Sequence, residues 1–458
     1  INSAQNLAAG NGLRWLGGDG KLYPLTHFPP LFSLILAFLT RIGIEAIVAA
    51  RVVNAFAFGV NLLLNSVLIE RVTHSIWLTI LGSILFLVSD VLIEAHAWAM
   101  SEPLFLSLYL GSVILMVRYL EDPRRKWIIG AAVLLGLSFL TRYVGLAFIF
   151  TVMLTMLIIP YISKDRRWKD FYVFSIVSLL FVVIWVAYTQ LSIGSPTDRT
   201  FAFYSITSKQ ILRSFNTMLV WFIPGRLVNG YEIFWLMGIL IGGIVWFIFY
   251  LNNQFSKKSI SNPASRLSQY LFLTLQFVCY IPIIFLSKSF FDPLTPLNNR
   301  ILLPLLPISI VILLQGLNYL WNGGGLLRRF LFSACCVILV GTYGYRAFLL
   351  VPRLHESGLG FARKSMHTSP TLAALRDMPQ KPLFSNSPYA ITMWTGLPAF
   401  GIPTLDVLRQ RMVDEGALLV VFDAVSLDLY DTNYYDLTQG MEIIAQFRDG
   451  TIYRFNSP

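Results

Sequence analysis

The tripeptide Ser101-Glu102-Pro103, read together with the apolar run from Leu104 to Tyr119 that follows it, decides the architecture. A short polar stretch containing Glu94, His96 and Trp98 ends at a carboxylate, and a run of membrane-spanning character begins there. Crossing a bilayer takes about 20 mainly apolar residues in helical form. An ionisable group at the mouth of such a run is expensive to keep and is a functional-site candidate by default. The same tripeptide also makes a good helix start, with Ser101 as N-cap, Glu102 facing the positive end of the helix dipole and Pro103 in the first turn. From the motif alone, capping and function stand level.

Composition supports the membrane reading. Of 458 residues, 56% are hydrophobic and only 13% charged, with a mean hydropathy of +0.65, which excludes an ordinary soluble globular chain. Hydropathy places spans at roughly 45–70, 75–92, 103–120, 127–140, 144–162, 170–191, 232–252, 268–287, 301–320 and 328–350. The expected fold is therefore an α-helical polytopic membrane protein of about ten transmembrane helices. The three cysteines, Cys279, Cys335 and Cys336, fall inside spans and offer neither a disulfide framework nor a zinc spacing.

The net charge of +11 is unevenly spread: from residue 352 onward nine Lys/Arg face eleven Asp/Glu, so the excess belongs to the membrane part. No nucleic-acid-binding motif accompanies it, and lipid headgroups or anionic substrates are the expected partners. The basic clusters Arg124-Arg125-Lys126, Lys164 to Lys169, Lys257-Lys258 with Arg266, and Arg328-Arg329 occupy alternate loops, whereas 93–102 has no Lys or Arg. The positive-inside rule puts the basic loops in the cytoplasm. Glu102, the Thr141-Arg142 turn, the 192–231 and 288–300 loops and the C-terminal tail then face outward. An outward N-terminus with Ile1 at its start leads to the expectation of a truncated chain that has lost a first helix.

Three parts are expected. Residues 1–44 form an outer loop whose Leu31–Thr40 run, after Pro29-Pro30, suits a juxtamembrane helix in the interface. Residues 45–351 form the transmembrane domain. Residues 352–458 form a small soluble α/β domain on the outer side, with a hairpin from Glu442–Phe447 through Arg448-Asp449-Gly450 to Thr451–Phe455.

The outward segments collect acids (Asp90, Glu94, Glu102, Asp292), bases (His27, Arg142, Lys288, Arg300) and aromatics (Trp15, Tyr23, Trp98, Tyr143). Arginines grip phosphate oxygens in forked hydrogen bonds, and a carboxylate takes a proton from a hydroxyl, so the set suits a phosphorylated lipid. Bland alternatives stand beside each. Arg300 alone reads as a snorkelling side chain, His27 as an interfacial polar residue, and Lys209 with Arg213 as a solvated helix face. Glu94, His96 and Glu102 form a weak divalent-cation pattern. No phosphate-binding glycine loop or Walker motif is present.

Taken in order, the motifs resemble those of the GT-C glycosyltransferases, polytopic enzymes that use phospholipid carriers. Tyr23-Pro-Leu-Thr-His-Phe-Pro-Pro-Leu31 resembles their first outer loop, and Ser101-Glu102-Pro103-Leu104-Phe105 their second acidic motif. Gly136-Leu-Ser-Phe-Leu-Thr-Arg142 resembles their Thr-Arg turn, and Asn299-Arg300-Ile-Leu-Leu-Pro304-Leu-Leu-Pro307 their late arginine segment. Ser385-Asn386 followed by Trp394-Thr-Gly396 is similar to a pattern of the outer domain in bacterial members. The group includes protein O-mannosyltransferases and the aminoarabinose transferase acting on lipid A.

The resemblance implies a cell-envelope glycosyltransferase in the bacterial inner membrane. It would move a hexosyl or pentosyl group, with inversion, from a polyprenyl-phosphate donor to a lipid, glycan or protein hydroxyl on the outer face. Glu102 would be the second acidic residue of the site. Arg300 and Arg142 would hold the lipid phosphate, with His27, His96, Tyr23 and Lys288 lining the substrate site. No cofactor is implied with certainty, and a divalent metal stays open. Two features depart from the pattern. The family's first-loop aspartate, its usual base, would precede Ile1, which implies an inactive fragment without it, and Phe28 separates His27 from Pro29. The rival readings are a secondary transporter of an anionic or lipid-linked substrate and a non-catalytic scaffold presenting the tail.

Overall fold

The computed structural model describes residues 1–163, 167–199, 201–228, 230, 263–291, 295–323, 325–360, 363–378, 381–423, 425 and 434–455. Six of the described helices are long and apolar enough to cross a bilayer: Ala46–Thr73, Glu102–Glu121, Trp168–Ile193, Arg266–Phe290, Leu305–Asn322 and Leu326–Ser357. Ile76–Leu87 and Asp90–Ala97 make a seventh if taken as one broken span, bent by 52°. The expected 75–92 span therefore breaks near its C-terminal end. Val88 leaves helical geometry, and Ser89 starts the next helix by accepting from the Leu92 N–H. The spans expected at 127–140 and 144–162 are the shorter helices Arg125–Thr141 and Gly145–Ser163. The span expected at 232–252 lies outside the described residues.

The chain divides into two compact units. Thr26–Phe32 with Arg51–Leu350 form the helical unit. Here the Glu102–Glu121 helix separates two ionic ends by about 30 Å, one hydrocarbon thickness. At its C-terminal end Glu121 takes Arg71 at 2.9 Å and the Gln269 amide at 3.2 Å. Nearby, Asp170 takes Arg125 at 3.2 Å and the Tyr119 hydroxyl at 2.9 Å. Asn318 also donates to the Thr73 carbonyl at 3.0 Å. The basic Arg124-Arg125-Lys126 loop thus gathers at one end with the carboxyl ends of Ala46–Thr73 and Glu102–Glu121. Glu102 stands at the other end. The alternation of loop charge read from the sequence is a geometric separation along this helix.

Ile1–Leu25, Ser33–Ala50 and Val351–Pro458 form the second unit, so the first-loop residues up to Leu25 pack with the C-terminal segment. The Leu31–Arg41 helix buries Phe32, Leu36 and Ala37 and exposes Leu34 and Phe38, the one-sided pattern its sequence suggests. In the first loop, β1 (Arg14–Leu16) pairs antiparallel with β2 (Leu22–Pro24).

The C-terminal segment builds a mixed five-stranded sheet. Its strands are β3 (Leu383–Ser385), β4 (Phe400–Gly401), β5 (Leu418–Phe422), β6 (Met441–Phe447) and β7 (Gly450–Phe455), in the order β4-β3-β5-β7-β6. The parallel pairs are β3 with β4 and β3 with β5; the other two are antiparallel. The expected hairpin is β6–β7, with Phe447 opposite Gly450. Every residue of β5 is buried, which matches its unbroken apolar run.

Asn386, from the Ser385-Asn386 motif, ties this sheet together. Its amide donates to the carbonyls of Phe422 at 2.9 Å and Val425 at 3.0 Å, and its Oδ1 accepts from the Phe422 N–H at 2.9 Å. Asn386→Ala is expected to leave those buried groups unpaired and to destabilise the C-terminal domain by about 2–4 kcal/mol. Limited proteolysis checks this: the 352–458 region should become the preferred cleavage site. Wild-type resistance would show that water replaces the amide.

Candidate functional site

Glu102 is the first residue of its helix, and Pro103 stands in the first turn, as a helix-start reading requires. Ser101, however, makes no side-chain capping bond. The Glu102 carboxylate is not left to face the helix dipole alone: its Oε1 is paired with both Arg142 Nη1 and Arg300 Nε. The side chain of Glu102 is only 5% exposed, that of Arg142 17% and that of Arg300 49%. Oε2 is buried and has no hydrogen-bond partner among the described residues. One carboxylate oxygen thus joins arginines 158 positions apart in sequence, leaving one net positive charge in the cluster.

Each arginine is delivered by a helix end. Arg142 caps Arg125–Thr141 in extended geometry, with its N–H bonded to the Ser138 carbonyl at 2.9 Å. The turn is tight because the next helix starts at Gly145, where a Cβ would lie 2.6 Å from the Phe139 backbone nitrogen. Gly136 opens the same motif and leaves room for the Phe181 ring, which a Cβ would meet at 2.2 Å. Arg300 lies in the short helix Asn299–Leu302. Asn298 caps it by accepting from the Arg300 N–H, Trp221 Nε1 donates to Asn299 Oδ1 at 2.9 Å, and the Tyr280 hydroxyl donates to the Ile301 carbonyl at 2.5 Å. The two motifs singled out in the sequence are therefore the two devices that present guanidinium groups to Glu102.

His27 belongs to an adjoining cluster. Its Nδ1 lies 3.4 Å from Asp198, which also accepts from the Thr26 hydroxyl at 3.1 Å. Tyr143, next to Arg142, donates to the Thr26 carbonyl at 2.7 Å and accepts from Trp185 Nε1 at 3.0 Å. Thr26 and His27 are thus tied to the Arg142 turn. The sequence reading missed Asp198. Its only local signal is a carboxylate in the outward loop after a helix stop at Gly194.

The remaining candidates are placed differently. His96 is buried, with Nδ1 2.7 Å from the Leu92 carbonyl and Nε2 2.9 Å from the Asn61 amide. Both ring nitrogens are engaged, so it is not brought to Glu94 and Glu102 as a metal ligand. Among the described residues no three His, Cys, Asp or Glu side chains converge. Lys288 is buried and donates to the Thr295 carbonyl at 2.8 Å, anchoring the loop before Arg300. Asp292 lies outside the described residues. Tyr23 lies in β2 of the other unit, where its exposed ring donates to Asp19 at 2.6 Å. That hydrogen bond holds the Asp19 carboxyl below its ordinary range and raises the Tyr23 phenol.

The architecture is the GT-C fold. Residues 27–188 match the family model of dolichyl-phosphate-mannose-protein mannosyltransferases. ArnT from Cupriavidus metallidurans bound to undecaprenyl phosphate superposes with a TM-score of 0.53 at 13% identity, covering 99% of this chain and 92% of that one. Its apo form gives 0.54 at 14% identity, with 99% and 91% covered. The archaeal oligosaccharyltransferase AglB from Archaeoglobus fulgidus, in complex with an inhibitory peptide and a dolichol-phosphate, gives 0.50 at 10% identity, with 95% and 66% covered. No curated protein matches by sequence.

The unequal burial of the two arginines has an energetic consequence. Arg142→Met is expected to leave the Glu102 carboxylate with only its half-exposed partner, destabilising the protein by about 3–5 kcal/mol. Arg142→Met combined with Glu102→Gln should recover most of that loss, because no buried charge is stranded. Melting of the detergent-solubilised variants reads both effects, and two simply additive losses would show that the pair is not coupled.

Proposed function

We propose that this protein transfers a sugar from a polyprenyl-phosphate donor to an acceptor hydroxyl on the outer side of the membrane, inverting the anomeric centre. The single observation that carries the reading is the shared oxygen: Glu102 Oε1 holds Arg142 and Arg300 together at one end of a spanning helix. Two guanidinium groups so placed are preorganised for a phosphate, whose oxygens they take in charge-assisted hydrogen bonds. The family-model match over the segment carrying Glu102 and Arg142 supports the same reading, as does the fold shared with ArnT in its undecaprenyl-phosphate-bound form.

In the reaction the acceptor oxygen attacks the anomeric carbon from the face opposite the phosphate. The carbon–oxygen bond to the phosphate breaks, and its electron pair stays on the departing polyprenyl phosphate. Arg142 and Arg300 stabilise the charge that grows there, through fixed positive groups that need no reorganisation during the step. The acceptor proton passes to a carboxylate base. Glu102 keeps the two arginines in register. His27, oriented by Asp198 in the adjoining cluster, lines the donor site.

The test is Glu102→Gln in the membrane-embedded protein. Transfer from a radiolabelled polyprenyl-phosphate sugar, scored for product and for released polyprenyl phosphate, should fall about 100-fold or more. The fold should be retained at a lowered melting temperature, because Arg142 loses its buried partner, so turnover is compared on folded protein. Wild-type turnover in this variant would reduce Ser101-Glu102-Pro103 to a helix start.

A further inference from the structure

Because Glu102 is the first residue of its helix, the direction of its carboxylate is set by the backbone on either side of it. That backbone is fastened to the Ala46–Thr73 helix by two asparagine side chains. Asn54 Nδ2 donates to the carbonyls of Trp98 at 2.5 Å and Met100 at 3.0 Å, just before Ser101. Asn61 Nδ2 donates to the carbonyl of Pro103 at 3.0 Å, just after Glu102, and lies 2.9 Å from His96 Nε2. His96 Nδ1 faces the Leu92 carbonyl, so Nδ1 carries the ring proton and Nε2 accepts from Asn61. Neither amide can be turned over, since flipping would bring Oδ1 against carbonyl oxygens. The two asparagines are seven residues apart, about 10.5 Å along one helix face, so they grip the chain on both sides of Glu102.

Both side chains are fully buried, and in both Oδ1 has no partner among the described residues. A buried acceptor left unpaired costs stability. All donor capacity of these amides is directed to the segment carrying Glu102 and to the histidine beside it. One turn further along the same face, Asn65 is equally buried, with neither amide atom partnered among the described residues. It touches none of that segment through a hydrogen bond.

We infer that Asn54 and Asn61 are positioning residues for the phosphate site: they fix the Trp98–Pro103 backbone so that Glu102 meets both arginines through one oxygen. The inference rests on the carrier-phosphate reading above. Displacements of about 1 Å at a reacting centre cost up to two orders of magnitude, and Ser101 provides no cap to hold the helix start in their place.

The experiment measures binding of undecaprenyl phosphate and of the phosphate-free alcohol undecaprenol to the full chain in lipid nanodiscs. Wild type should prefer the phosphate. Asn61→Leu should weaken undecaprenyl phosphate about tenfold and leave undecaprenol unchanged, and its effect should vanish in the Glu102→Gln background. Asn65→Leu should change neither. If Asn61→Leu does not yield folded protein, Asn54→Ser decides by the same comparison. Equal losses for phosphate and alcohol, or a loss that persists in the Glu102→Gln background, would make the amides structural and overturn the inference. Wild-type affinity in both asparagine variants would overturn it too. A wild type with no preference for the phosphate would instead overturn the carrier reading, and the inference with it.

Discussion

A carboxylate buried at the end of a membrane helix cannot stay charged without close partners, and that constraint organises the helical unit. In a low-dielectric setting the desolvation of an ion outweighs most of what any one partner returns. Here two partners share one oxygen, and each comes from a different helix end. The Gly136–Arg142 turn and the 298–302 turn must therefore converge on the start of Glu102–Glu121. The glycines that let helices close at 136 and 145, and the capping of Arg300's short helix by Asn298, are the local requirements of that convergence.

Such a cluster is a poor way to gain stability. Buried ion triads can often be replaced by apolar side chains of similar volume with no loss. The stranded Oε2, and the unpaired amide oxygens of Asn54 and Asn61 behind it, add further cost. A protein that keeps this arrangement trades folding free energy for a fixed field of positive charge. That exchange makes sense where an anion must be bound and its growing charge stabilised.

Much of this was legible in the sequence, for physical reasons. Spans announce themselves by length and hydropathy, and the basic 124–126 loop falls at the helix end where Glu121 and Asp170 pair with arginines. The Ser-Glu-Pro, Thr-Arg and Asn-Arg motifs were readable because charge beside an apolar run is costly enough to need a reason. The surroundings of His96 are harder to read, because sequence spacing does not tell which way a helix face points. It points inward, onto Phe58 and Asn61. The asparagines went unnoticed because single amides scarcely alter the hydropathy of a 28-residue apolar helix. Asp198 lies 171 positions from its partner His27, a pairing no local pattern encodes.

The gap between Asp90–Ala97 and Glu102–Glu121 shows how the two levels connect. A continuous helix through 75–103 would satisfy its backbone internally and would leave nothing for side chains to grip. Breaking it exposes carbonyls at Trp98 and Met100, which then require donors from a neighbour. The Ala46–Thr73 helix supplies one from Asn54, and a second from Asn61 to Pro103 on the far side of Glu102. The 98–101 gap is thus the feature that lets a rigid helix dictate where Glu102 stands. In a solvent without water, an interrupted helix is tolerated only where other side chains complete it, and here the completing side chains also aim the carboxylate.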